Sequence, residues 1–148
     1  MLPRQSASST VRFSLSLPHI PILLNDRNHI AVLVVGHTNC GGAVACHNAA
    51  NTPPSKPTTP LGRWLAPLTE HVRTLKLEGL SKSEALTKVV EESVRVQVAN
   101  VVNTAPVQAV WATGQKNLWV HGLVYELETG RLRDLGITQG GAPKTQTK

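Results

Sequence analysis

The stretch that decides the fold is "HIAVLVVGHTNCGGAVACHNAA", residues 29–50. Its first eight residues form a nearly continuous, valine-rich apolar run, the pattern of a strand buried on both faces of a parallel sheet. A histidine and a cysteine three apart, His37 and Cys40, follow at once, then Gly41 and Gly42, then good helix formers. A strand, a short loop and a helix over residues 42–51 are therefore expected. The two chemically active side chains then lie at the carboxyl end of the strand, where α/β sheets place their active sites.

An imidazole and a thiolate are borderline-soft donors that suit Zn²⁺ better than a hard cation. The two glycines let the backbone turn tightly, and the helix that follows favours negative charge at its N-terminus, beside Cys40. On spacing alone the pair also fits a capped histidine beside an inert thiol. A phosphate-cradling loop does not fit, because that pattern needs Lys and Ser or Thr where this chain has Gly42 and Ala43. Cys46 and His47 extend the series to H-x₂-C-x₅-C-H. Adjacent helical residues point about 100° apart, so the two do not face one ion together. Cys46 reads as a small buried helix residue; a structural zinc module on His37, Cys40 and Cys46 is the competing reading.

Outward from this stretch, "NTPPSKPTTP" (residues 51–60) carries four prolines and is a loop. Apolar residues at Leu61, Trp64, Leu65, Leu68, Val72 and Leu75 then keep a helical period, with Pro67 near its start. Ser81 with Glu84 three residues on fits a capping box, and the stripe Leu86, Val89, Val90, Val94, Val98, Val101, Val102 continues that helix up to Thr104. Pro106 opens a short helical turn. Residues 118–127 are aromatic and β-branched, "ETG" is a turn, and residues 132–135 return as a second short strand, making a β-hairpin. His121 reads as a packed strand histidine, and Trp64, Trp111, Trp119 and Tyr125 as core or interface.

The resulting class is α/β: a parallel sheet core flanked by helices, with a C-terminal hairpin, over residues 29–137. A poorly defined segment (1–28) precedes it, and a polar tail (138–148) is expected to fray. With 148 residues and 41% hydrophobic content the chain suits one domain. The charge of +6 comes from 15 basic and 9 acidic residues spread along the chain. Aromatics are only 3%, so no basic and aromatic surface points to a nucleic-acid partner. No apolar stretch approaches the roughly 18 residues of a spanning helix, so no membrane partner is expected and the location reads as cytoplasmic. Arg4, Arg12 and several serines without an acid before Asp26 leave a mitochondrial transit peptide as the alternative. Two cysteines, Cys40 and Cys46, provide no disulfide framework.

"VVGHTNCGGAVA" (residues 34–45) resembles the metal-binding segment of the β-class carbonic anhydrases, in which a strand ends in G-H-[ST]-x-C-G-G. Residues 91–136, "EESVRVQVANVVNTAPVQAVWATGQKNLWVHGLVYELETGRLRDLG", are similar to that family's last helix and strands. There a V-x-x-Q-V-x-N helix precedes H-G-[WL]-V-Y and a T-G-x-L hairpin. The resemblance covers most of residues 29–137, and residues 8–15 correspond to a remnant of the preceding helix.

The resemblance implies reversible hydration of carbon dioxide to bicarbonate through a zinc-bound hydroxide, with family members pairing as dimers or larger assemblies. His37 and Cys40 correspond to two of three protein ligands of Zn²⁺, and Gly41 and Gly42 to the glycines that shape the loop. The third ligand and an aspartate and arginine pair belong to a C-x-D-x-R segment that has no match here: no cysteine precedes His29, and Asp26 and Arg27 are adjacent. No catalytic residue of that pair is identified. The expectation is a truncated or degenerate homologue with impaired activity, the alternative being an inactive interaction or dimerisation protein.

Overall fold

The computed structural model describes residues 30–114 and 117–140. Strand β1 (Ile30–His37) leads through a three-residue turn to helix α1 (Gly41–Ala50). Helices α2 (Pro60–Arg73), α3 (Lys82–Val102) and α4 (Ala105–Ala112) follow, then strands β2 (Leu118–Glu126) and β3 (Arg131–Gly140). The sheet order is β1-β2-β3, with β1 and β2 parallel and β2 and β3 antiparallel. The α/β class, the parallel pair and the C-terminal hairpin follow the sequence reading. The proposed helix at 8–15 and the transit-like N-terminus lie outside the described residues, as do Asp26, Arg27 and the tail from residue 141.

Local chemistry explains the helix boundaries. Thr59 caps α2 by accepting from the Gly62 N–H at 3.0 Å, and Pro60 occupies the first helical turn, where a missing N–H costs nothing. The capping box of α3 is present: Ser81 Oγ accepts from the Glu84 N–H at 3.3 Å, and the Ser81 N–H donates to Glu84 Oε2 at 2.9 Å. The C-terminal end of α1 is closed by Arg73 of α2, whose guanidinium donates to the carbonyls of Ala49, Ala50 and Thr52 at 2.6, 2.7 and 2.6 Å.

The core lies between the helices and one face of the sheet. Helix α3 supplies Val89, Val90, Val94, Val98 and Val101, meeting Val120 and Val124 of β2. Burying each such valine contributes about 1.5 kcal/mol or more. Gly36 and Gly122 let α3 approach closely: a Cβ on Gly122 would meet Val94 Cγ1 at 3.0 Å and Val98 Cγ2 at 3.2 Å.

Three features depart from the sequence reading. Strand β1 alternates between half-buried and exposed residues, with Leu33 at 53% and Val35 at 47% exposure, so it is not buried on both faces. The described helices cover only the face carrying Val32, Val34 and Gly36. Strand β3 runs to Gly140, well beyond Leu135, because a bulge absorbs two extra residues between the Gly122–Ile137 and Leu123–Asp134 pairs. Gly136 takes the left-handed φ of 66° there, and its N–H donates to Asp134 Oδ1 at 2.9 Å. Residues 138–140 therefore belong to the sheet. Trp64 is 60% exposed, whereas Leu65, Leu68 and Val72 take the buried positions.

Candidate metal-ligand site at the end of β1

Strand β1 ends at His37, paired in register with Tyr125 of β2, and the Thr38 N–H donates to the Tyr125 carbonyl at 3.0 Å. The turn that follows reverses on Asn39, whose φ of 55° is the only left-handed non-glycine backbone among the described residues. Asparagine tolerates this region better than most side chains. The sequence reading placed the tight turn on Gly41 and Gly42. Both instead form the first residues of α1, and a Cβ on Gly42 would meet Cys40 Sγ at 3.7 Å in ordinary contact.

His37 and Cys40 line one cavity of about 180 Å³ at the carboxyl end of β1. Its walls are Trp64, Leu65 and Leu68 from α2 and Val90, Ser93 and Gln97 from α3, so the space is mostly apolar with a few polar groups. The His37 ring nitrogen Nδ1 lies 2.8 Å from the Thr38 carbonyl oxygen. A carbonyl only accepts, so Nδ1 carries the hydrogen and the Nε2 lone pair is free to ligate a metal. This is the arrangement that orients a metal-binding histidine. Cys40 is the N-cap residue of α1, yet its side chain makes no capping hydrogen bond. Its sulfur therefore remains a donor at the positive end of a helix dipole.

Cys46 stands apart from this pair chemically. It is fully buried on the inner side of α1. Burial pushes its thiol up, opposed by a hydrogen bond with Thr69 and reinforced by Cys40, which keeps it a neutral thiol near pH 7. His47 Nε2 lies 3.4 Å from Asn51 Nδ2 and its Nδ1 is buried without a partner. Among the described residues no group of three or more His, Cys, Asp or Glu side chains is arranged to hold a metal. The donor chemistry of His37 and Cys40 thus fits zinc as two ligands of a larger set, and that larger set is not assembled by the described residues. His121, half-buried on β2, has its Nδ1 3.0 Å from Thr138 Oγ1, the packed strand histidine expected of it.

Sequence reasoning missed one participant. Glu128, in the turn between β2 and β3, accepts from Thr38 Oγ1 at 2.8 Å and from Asn39 Nδ2 at 2.7 Å. Its own backbone N–H and the Thr38 hydroxyl hold its carboxyl below the usual range, with Asn39 a smaller contributor. The signal available in the sequence was the register: a strand end at His37 opposite Tyr125 brings the turn three residues beyond Tyr125 beside the Thr38–Asn39 loop.

Comparison with known proteins agrees with this geometry. Residues 25–132 match the carbonic anhydrase family model. The β-carbonic anhydrase of Coccomyxa, solved in complex with acetazolamide, is 38% identical over 75% of this chain and 49% of its own, with a TM-score of 0.62. The β-carbonic anhydrase CafA of Aspergillus fumigatus is 29% identical over 72% of this chain and 48% of its own, with a TM-score of 0.58. A chain from the structures of two tetrameric β-carbonic anhydrases of Sordaria macrospora shares the fold at 20% identity, with a TM-score of 0.55, over 74% of this chain and 54% of its own. The chain spans about half the length of these solved relatives. With the G-H-T-N-C-G-G loop placed at a parallel strand end above an apolar cavity, the chain belongs to the β-carbonic anhydrase family.

Proposed function

We infer that the chain carries part of a zinc-dependent active site for reversible hydration of carbon dioxide to bicarbonate, and that activity of the 148-residue chain alone is impaired. The observation that carries this reading is that His37, whose Nδ1 contacts the Thr38 carbonyl at 2.8 Å and so leaves the Nε2 lone pair for a ligand, lines the same cavity as Cys40. His37 and Cys40 are the residues that would hold the ion. Zinc, when bound, supplies the Lewis acidity by which water becomes a nucleophile near neutral pH.

The chain's own residues supply the surroundings. Leu65 and Leu68 form an apolar wall suited to a small uncharged molecule such as CO₂, while Ser93 and Gln97 add hydrogen-bonding groups for a charged product. The impairment follows from counting parts. A catalytic zinc site uses three protein ligands and one open position, and neither a third donor nor the aspartate and arginine pair is present among the described residues.

Stopped-flow CO₂ hydration tests the reading on the zinc-loaded chain and on the same chain extended upstream by a C-x-D-x-R segment. Rates near the uncatalysed background for the first and restored turnover for the second are expected. Robust turnover by the short chain would overturn the impairment, and no turnover by the extended one would overturn the assignment of the site.

A second reading, an interaction or dimerisation protein, is favoured by the face of the sheet that the described helices leave uncovered. Leu33, Val35, Trp119, Tyr125 and Leu132 are all exposed there, and β1 lies at the edge of the sheet formed by the described residues. A surface of that kind is normally covered by another chain or segment, so a homodimer or larger assembly is the proposed state.

A further inference from the structure

The geometry points to Glu128 as the positioning residue of the His37 and Cys40 pair, a role that rests on the metal reading above. The two ligand candidates are joined by only Thr38 and Asn39, and the Glu128 carboxylate takes one hydrogen bond from each: 2.8 Å from Thr38 Oγ1 to Oε2, and 2.7 Å from Asn39 Nδ2 to Oε1. Both oxygens are thereby committed to the loop, one per bridging residue. The Thr38 hydroxyl also accepts from the Leu127 N–H at 2.9 Å, so the hydroxyl has a fixed direction and links the loop to the hairpin twice.

The consequence is geometric. Asn39 holds a left-handed backbone at φ 55°, a conformation with a cost for a residue that has a Cβ. Without a partner on its amide, this turn has an extended alternative. A change in the Asn39 backbone would swing Cys40 relative to His37, whose position is fixed by the strand register with Tyr125. The carboxylate 90 residues downstream therefore sets the separation and mutual direction of the two donors. Charge reinforces the choice of residue, because a carboxylate accepts from both donors at once and an amide accepts on only one of its two atoms.

Two measurements on the full chain test this. In the metal-free protein, amide hydrogen exchange at Thr38 and Leu127 is compared between wild type and Glu128→Ala, Glu128→Gln, Thr38→Val and Asn39→Gly. The last two cut one arm each outside the hairpin turn, so they serve if Glu128→Ala fails to fold. In the loaded protein, cobalt(II) is titrated and followed by the thiolate-to-cobalt charge-transfer band, against the thermal midpoint of the metal-free chain. The expected result is faster exchange and about 10- to 100-fold weaker cobalt binding for Glu128→Ala, with Glu128→Gln in between and a thermal midpoint lowered only slightly. Exchange indifferent to Glu128, or cobalt affinity within twofold of wild type despite a loosened loop, would overturn the role. A wild-type chain that shows no cobalt band but a Glu128-dependent loop would contradict the zinc reading and leave the positioning of the loop by Glu128 standing.

Discussion

Gly36 of β1 lies directly beneath Val94 of α3: a Cβ on the glycine would come 2.7 Å from Val94 Cγ2 and 3.0 Å from Val90 Cγ1. The close approach brings α3 onto the strand one residue before His37, and it is what places Val90, Ser93 and Gln97 on the wall of the ligand cavity. Gly36→Ala is therefore expected to overpack this contact and destabilise the chain by about 1 to 3 kcal/mol. Thermal or urea unfolding checks it, and an unchanged midpoint would show that α3 has room to shift.

Metal retention separates the site from its neighbouring cysteine. His37→Ala or Cys40→Ser is expected to abolish zinc that survives dialysis of the wild type, whereas Cys46→Ser, which alters a buried neutral thiol, changes the content little. Metal analysis of the three variants decides between this and a structural module. Equal loss in the Cys46 variant would favour the module.

How much of this was legible beforehand depended on range. Strand β1, the Ser81 and Glu84 capping box and the first strand of the hairpin, from Leu118, are written in local pattern, so the sequence located them to within a residue or two. The exposure of Leu33 and Val35 was not legible, because a continuous apolar run reads the same whether or not anything covers its second face. The extension of β3 through "ITQG" was hidden by its polarity, since pairing there comes from a bulge at Gly136 and not from a hydrophobic pattern. Within the site, the placement of His37 at the end of β1 and of Cys40 at the start of the following helix was legible from the strand and helix pattern. Glu128 was not, because its connection to Thr38 exists only once the strand register is known.

Acid should weaken the fold through two carboxylates. The carboxyls of Glu84 and Glu128 are both held below their ordinary value of 4.5, chiefly by the Ser81 side chain at Glu84 and by its own backbone at Glu128. A depressed folded-state value means that the unfolded chain binds more protons at acid pH. The stabilisation is complete above the ordinary value and is lost as pH falls through the lowered one. Denaturant midpoints measured from pH 6 to pH 3 are expected to fall more steeply for wild type than for a Glu84→Gln, Glu128→Gln double variant. Parallel curves would contradict the assignment.

Assembly is checked by concentration. The exposed Leu33, Val35 and Leu132 lie on one face of the sheet, and β1 is at its edge among the described residues, so a dimer or larger species is expected in light scattering, and Leu33→Lys with Leu132→Lys should shift it toward monomer. A wild type that remained monomeric across a wide concentration range would remove the second functional reading.

The most direct test of the central claim is zinc K-edge absorption spectroscopy of the zinc-loaded chain. Ligation by His37 Nε2 and Cys40 Sγ predicts one sulfur at roughly 2.3 Å and imidazole scattering from a nitrogen at about 2.0 to 2.1 Å, with light oxygen or nitrogen donors completing the shell. The sulfur contribution should vanish in Cys40→Ser and persist in Cys46→Ser. Two sulfurs per zinc, or a first shell without sulfur in the wild type, would contradict it.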